Sequence, residues 1–163
     1  MQYVIRDPGA PISRDMVIED ERGHATFRVH RPVVGLRDEL RLDDADGAEQ
    51  AWIKDPILSD GSKYEIHRGG KRYADVNRIV ESDRLGGFDI RLATGESLAA
   101  RGDMVGRYFT IMSQDQSAAL VRRQRGKIEV KTEQEQDDVL LLAGVLAICA
   151  MIDSWERKHS RNA

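Results

Sequence analysis

One cysteine, Cys149, is all that this 163-residue chain carries, and a single thiol forms no internal disulfide. Set in an apolar run, it reads as a small core hydrophobe of a protein kept in a reducing compartment. Excess positive charge is missing too. With 25 Lys+Arg against 28 Asp+Glu, the net charge is −3. Nothing in that balance pulls the chain toward nucleic acid, so any anionic partner must meet a local patch. The stretch from Met1 to Pro8 lacks the basic-then-apolar order of a secretory leader. A cytoplasmic protein is expected.

Catalytic signatures are equally scarce. No Gly-x-Ser-x-Gly occurs, and Ser62, Ser82 and Ser97 sit in polar turn contexts without a neighbouring histidine. Neither Gly-x-Gly-x-x-Gly nor the P-loop pattern is present, so Gly69-Gly70-Lys71 is turn punctuation rather than a phosphate cradle. His24, His30, His67 and His159 form no helical pair and have no cysteine partner at zinc spacing. They read as exposed or turn residues. Asp43, Asp44 and Asp46 lack the distal glutamate of a calcium loop and suit a turn, where Asp bonds its own backbone. No enzyme activity, metal or cofactor is expected.

What the chain has is alternation. Hydrophobic residues make up 40%, too many for a disordered chain, and the length suits one domain with a sizeable core. We place that domain at 1–157, followed by a polar basic tail at 158–163. Five hairpin-like units run apolar-polar into a turn and back. They are Met16, Ile18 to Phe27, Val29; Leu40, Leu42 to Ala51, Ile53; Tyr64, Ile66 to Tyr73, Ala74, Val76; Phe88, Ile90, Leu92 to Leu98, Ala99; and Tyr108, Thr110, Met112 to Ala119, Val121. In the third, two glycines can both take positive φ in a tight turn. Strands around Tyr3–Ile5 and over Lys127–Lys131, with Ile128 and Val130 on one face, raise the number to twelve.

Thr132-Glu133-Gln134-Glu135 then has the form of a capping box, with Asp137 and Asp138 in the first turn of a helix. Val139 to Ile152 follows as 14 residues without a polar side chain other than the thiol. A helix apolar on every face either crosses a bilayer or is enclosed by protein. A span needs about 20 apolar residues, so no transmembrane segment is expected and the strands must wrap the helix. The fold class follows as mostly β, an antiparallel barrel of about twelve strands closed around a central C-terminal helix. Gly144 marks where a bulky barrel side chain comes close, Trp155 closes the mouth, and Trp52 is a packing or surface residue.

The sequence resembles the LURP-one-related family on Leu40-Arg41-Leu42, Asp46-Gly47, Ala51-Trp52-Ile53-Lys54, Leu58, Ser59, Tyr64-Glu65-Ile66, Gly70-Lys71 and Tyr73-Ala74-Asp75-Val76. Gly102-Asp103 ahead of Tyr108 and the run Asp137 to Ala143 extend the likeness. The resemblance implies the tubby C-terminal-like fold, shared with phosphoinositide-binding tubby-like domains and phospholipid scramblases. Plant members are linked to pathogen defence. No catalytic residue carries over.

One charge feature remains. Arg122, Arg123, Arg125, Lys127 and Lys131, opposed by Glu129, surround the turn between the last two strands. On a barrel rim they suit lipid headgroups, each cation near an anionic surface contributing about 1 kcal/mol; as a solvated turn they are partly neutralised by the acidic stretch beside them. Tyr108 and Phe109 lie nearby, and alternation sends one of them inward. The sequence therefore points to a non-enzymatic binding or adaptor domain, peripheral to an anionic phospholipid surface. The alternatives are a scramblase-like protein that inserts its C-terminal helix and a scaffold for a protein partner alone.

Overall fold

The computed structural model describes residues 1–6, 15–31, 39–56, 61–103, 108–133 and 137–160. Six strands come first: Gln2–Arg6 (β1), Met16–Glu19 (β2), Ala25–His30 (β3), Glu39–Asp44 (β4), Glu49–Lys54 (β5) and Lys63–Arg68 (β6). Lys71–Glu81 (β7), Arg84–Leu92 (β8), Ser97–Asp103 (β9), Tyr108–Ser113 (β10), Gln116–Gln124 (β11) and Lys127–Thr132 (β12) follow, then the helix Asp138–Ser160 (α1). Each strand pairs antiparallel with its chain neighbours, and β1 pairs with both β2 and β12, closing a twelve-stranded barrel. The seam is tied at Thr132. Its carbonyl accepts a hydrogen bond from the Met1 ammonium at 3.0 Å, and its N–H donates to the Met1 carbonyl at 2.8 Å.

The expected hairpins form. In the third, Gly69 and Gly70 take φ of 58° and 79° between Arg68 and Lys71, which pair across the turn. Asp44 closes the second by accepting from Asp46 and Ala48 N–H, both at 2.9 Å. Two facing assignments shift by one residue. In β10 the buried side chains are Phe109 and Ile111, not Tyr108, Thr110 and Met112; in β9 they are Leu98 and Ala100, with Ala99 half-buried. The partner strand decides the first case: Phe109 stands opposite Val121 and Ile111 opposite Ala119, so the more apolar set joins the core, and a register shift after Ile111 breaks the alternation.

Eight strands make a barrel that side chains alone can fill, and sixteen leave a channel. Twelve fall between, and one α-helix of about 10 Å diameter fills the space. Leu141 to Ala143, Val145, Ala147, Ile148 and Met151 are at most 1% exposed. The helix has 23 residues, and its Asp138–His159 stretch is long and apolar enough by composition to cross a membrane, with 67% of its most apolar part buried inside the barrel. Enclosure by the barrel, rather than the length of the apolar run, is therefore what speaks against a span. The helix also carries Lys158 and His159 of the expected tail; residues 161–163 lie outside the described residues.

The capping expectation is corrected. Thr132 ends β12, and its hydroxyl donates to the Met1 carbonyl at 3.3 Å, so it caps nothing; Glu135 lies outside the described residues. Asp137 is the cap. Its Oδ1 accepts the Leu140 N–H at 3.1 Å, while its Oδ2 accepts from Arg68 Nη1 at 2.8 Å and the Tyr73 hydroxyl at 3.1 Å. Asp138 accepts the Tyr3 hydroxyl at 2.6 Å. At the far end Arg123 of β11 grips Asp153 with two guanidinium nitrogens, at 2.8 and 2.9 Å, and Arg78 of β7 lies over the Trp155 ring at 4.8 Å. The helix is thus pinned to the barrel at both ends.

Replacing Gly144 brings a Cβ to 3.0 Å from Ile90 Cδ1, inside a closed wall. Gly144→Leu is expected to destabilise by about 2 kcal/mol or more, as overpacking does, and an unchanged urea midpoint would show that the wall yields there. Asp137→Ala removes the cap and leaves Arg68 and Tyr73 without that acceptor, with an expected cost of about 2 to 3 kcal/mol read in the same titration.

Candidate functional site

β11 and β12 are joined at Arg125-Gly126, where Gly126 has φ of 81°. Alternation sends Val121 and Val130 into the core and turns Leu120, Arg122, Glu129 and Lys131 to the outer wall. Register fixes who meets whom: Arg122 faces Tyr108 on β10 and Glu129 on β12, while Lys131 faces Leu120 on β11 and Gln2 on β1. Together they line a surface groove of about 410 Å³. Tyr108 is 63% exposed and Leu120 47%, an aromatic ring and an aliphatic chain left in solvent beside two cations. Such side chains ordinarily seek cover when they cluster.

The five cations of the basic turn part ways. Arg122 and Lys131 belong to the groove, and Arg125 stands exposed at the turn. Lys127 reaches Glu129 at 3.2 Å and also lines a second cavity at the barrel mouth. Arg123 points to the helix instead, and its hydrogen bonds to Asp153 hold its pKa above that of an ordinary arginine. It is a structural clamp. Asp153 was invisible to spacing arguments because it lies 30 residues from Arg123; Leu120 was legible only as an apolar residue out of phase with Ala119 and Val121.

Three of the four histidines have structural partners. His30 lies 3.1 Å from Asp15 and 3.2 Å from Asp43, His67 lies 3.1 Å from Glu65, and His159 stacks on Trp155 with centroids 3.8 Å apart. Among the described residues no group of three or more His, Cys, Asp and Glu is arranged to hold a metal ion. Trp52 is half-buried on the outer wall, with Arg41 and Lys54 at 5.9 and 5.4 Å from its ring.

Barrel, inner helix and outer groove can now be set beside known proteins. Residues 1–150 match the LURP-one-related family. The chain belongs to that family. Of the residues that carried the resemblance, Leu58 and Ser59 lie outside the described residues. This LURP-one-related chain is also similar to an X-ray structure of a protein from Arabidopsis thaliana, at 18% identity and a TM-score of 0.68, over 93% of this chain and 90% of that one. Identity at that level speaks for the fold alone. No curated protein matches the chain. Family and filled barrel together support a binding domain rather than an enzyme, because the interior that might hold substrate is occupied by α1.

Three protons are held tightly inside this family member. Burial pushes the Cys149 thiol from 9.0 up to about 12. Burial, followed by the bonded carboxylates Asp138 and Asp137, raises Tyr3 and Tyr73 above the usual 10.0. A raised folded-state pKa contributes stability that is fully present below the unfolded value and lost as pH climbs through the folded one. The melting temperature should therefore fall from about pH 9 upward, and Tyr3→Phe should flatten that fall; equal slopes in the two proteins would exclude Tyr3 as a contributor.

Proposed function

We propose that the chain is a cytoplasmic, non-enzymatic domain that docks on an anionic phospholipid surface through the outer wall of β10, β11 and β12. The observation that carries this reading is the exposure of Tyr108 and Leu120 between Arg122 and Lys131. Aromatic and aliphatic side chains of this kind settle at the headgroup level, while neighbouring cations meet the phosphates. Arg125 extends the positive strip to the end of the hairpin. The turns and strand ends at the opposite barrel end carry Asp20, Glu21, Asp44, Asp46, Glu96 and Asp115 against Arg22, Arg68, Lys71 and Arg72. That end is net negative, which favours approach to an anionic surface by the strip that carries Arg122 and Arg125.

Insertion of α1 in the manner of a scramblase is the weaker reading. It requires breaking the Arg123–Asp153 pair and the Asp137 cluster, and it empties the barrel of its core.

Co-sedimentation with vesicles of phosphatidylserine and phosphatidylcholine, across a salt series, tests the proposal. Binding to the anionic vesicles should weaken with salt and fall about a hundredfold in a variant with Arg122→Glu, Arg125→Glu and Lys131→Glu. Arg123 is left intact because a carboxylate there would oppose Asp153 and confuse docking with folding. Tyr108→Ser with Leu120→Ser should weaken binding without changing its salt slope. A folded protein that ignores every vesicle overturns the reading and leaves a protein partner for the groove.

A further inference from the structure

A second cavity, of about 130 Å³, opens at the end of the barrel where α1 emerges, and its polar lining consists of Arg31, Arg123, Gln124, Lys127, Cys149 and Asp153. Three of these groups are cations and one is a carboxylate. Burial keeps the Cys149 thiol protonated at neutral pH, with its pKa pushed up to about 12, so it adds no negative charge. The other side of the cavity is hydrocarbon, formed by Ile5, Leu40, Leu146 and Ala150 among others.

We propose that this cavity binds a small monocarboxylate of about six heavy atoms. Size sets the upper bound: a cavity of roughly 150 Å³ holds benzene, so this one takes a ligand of similar or slightly smaller bulk. Charge sets the sign. Asp153 takes two of the five N–H donors of Arg123, and Glu129 engages Lys127, whose ammonium has three donors. Both cations therefore retain donors for a second acceptor. A planar carboxylate suits the Nε side edge of the Arg123 guanidinium that Asp153, held on Nη1 and Nη2, leaves open, and a short carbon chain suits the wall of Leu146, Ala150 and Leu40. The geometry distinguishes this cavity from the outer groove, because neighbouring residues of one strand face opposite sides: Arg122 the groove, Arg123 the mouth.

The test is calorimetric titration of the full chain, without vesicles, using butyrate, 1-butanol and inorganic phosphate. Butyrate should bind saturably and raise the melting temperature; 1-butanol, with the same carbon chain and no charge, should not. Lys127→Met should weaken butyrate about tenfold, as expected for loss of one charge-assisted hydrogen bond. Its side chain is 36% exposed, so the fold survives the change. Ala150→Leu fills the cavity from the helix side and should abolish binding, provided circular dichroism shows a native spectrum. Three results would each overturn the proposal: no butyrate binding to the parent protein, equal binding of 1-butanol, or undiminished binding in a folded Ala150→Leu protein. Phosphate bound as tightly as butyrate would overturn the carboxylate assignment, since phosphate has no use for the hydrocarbon wall. Vesicle binding through Tyr108 and Arg122 stands or falls separately, because neither residue lines this cavity.

Discussion

A twelve-stranded barrel is too wide to fill with its own inward side chains, and every other property of this molecule depends on how that space is occupied. The inward faces of the strands supply Ile, Leu, Val and Phe to one side of an annulus, and α1 supplies Leu, Val, Ile and Met to the other. Neither component is stable alone. An apolar-all-round helix needs cover, and a closed sheet of this girth needs a core. Their mutual burial makes the chain one cooperative unit. It also leaves the outer wall and the two barrel ends as the places where binding can occur.

Much of this was legible because the relevant signals are local. Period-two alternation and turn residues located all ten hairpin strands, and the uninterrupted apolar run from Val139 to Ile152 announced the inner helix. Even the close approach at Gly144 was readable, since a glycine inside such a helix makes sense when a wall side chain such as Ile90 crowds it. What escaped was set by distant partners. Thr132 looks like a helix cap until β12 claims it for the seam with Met1, and Asp137, fixed by Arg68 and Tyr73, takes the capping role. The facing of β10 was misjudged because Tyr108 and Phe109 are both credible core residues until Val121 selects one.

The basic turn illustrates the same division. Sequence brings five cations together, but the fold then separates them: Arg122 and Lys131 go to the outer groove, Arg125 to the exposed turn, and Arg123 and Lys127 to the mouth cavity, where Arg123 also clamps the helix. A charge cluster in one dimension becomes three environments in space. Counting charges along the chain therefore overstates the cations available to a single ligand, and only the register shows which of them share a surface with Tyr108 and Leu120.

The helix follows all twelve strands in chain order. During synthesis the strands are therefore exposed before the segment that gives them a core exists, and a closed, native barrel cannot form ahead of it. Long antiparallel meanders with unsatisfied inner faces are prone to off-pathway pairing. The segment made after all twelve strands is thus the one that commits them to their final shape, and folding of this domain is in effect postponed until the helix has been translated.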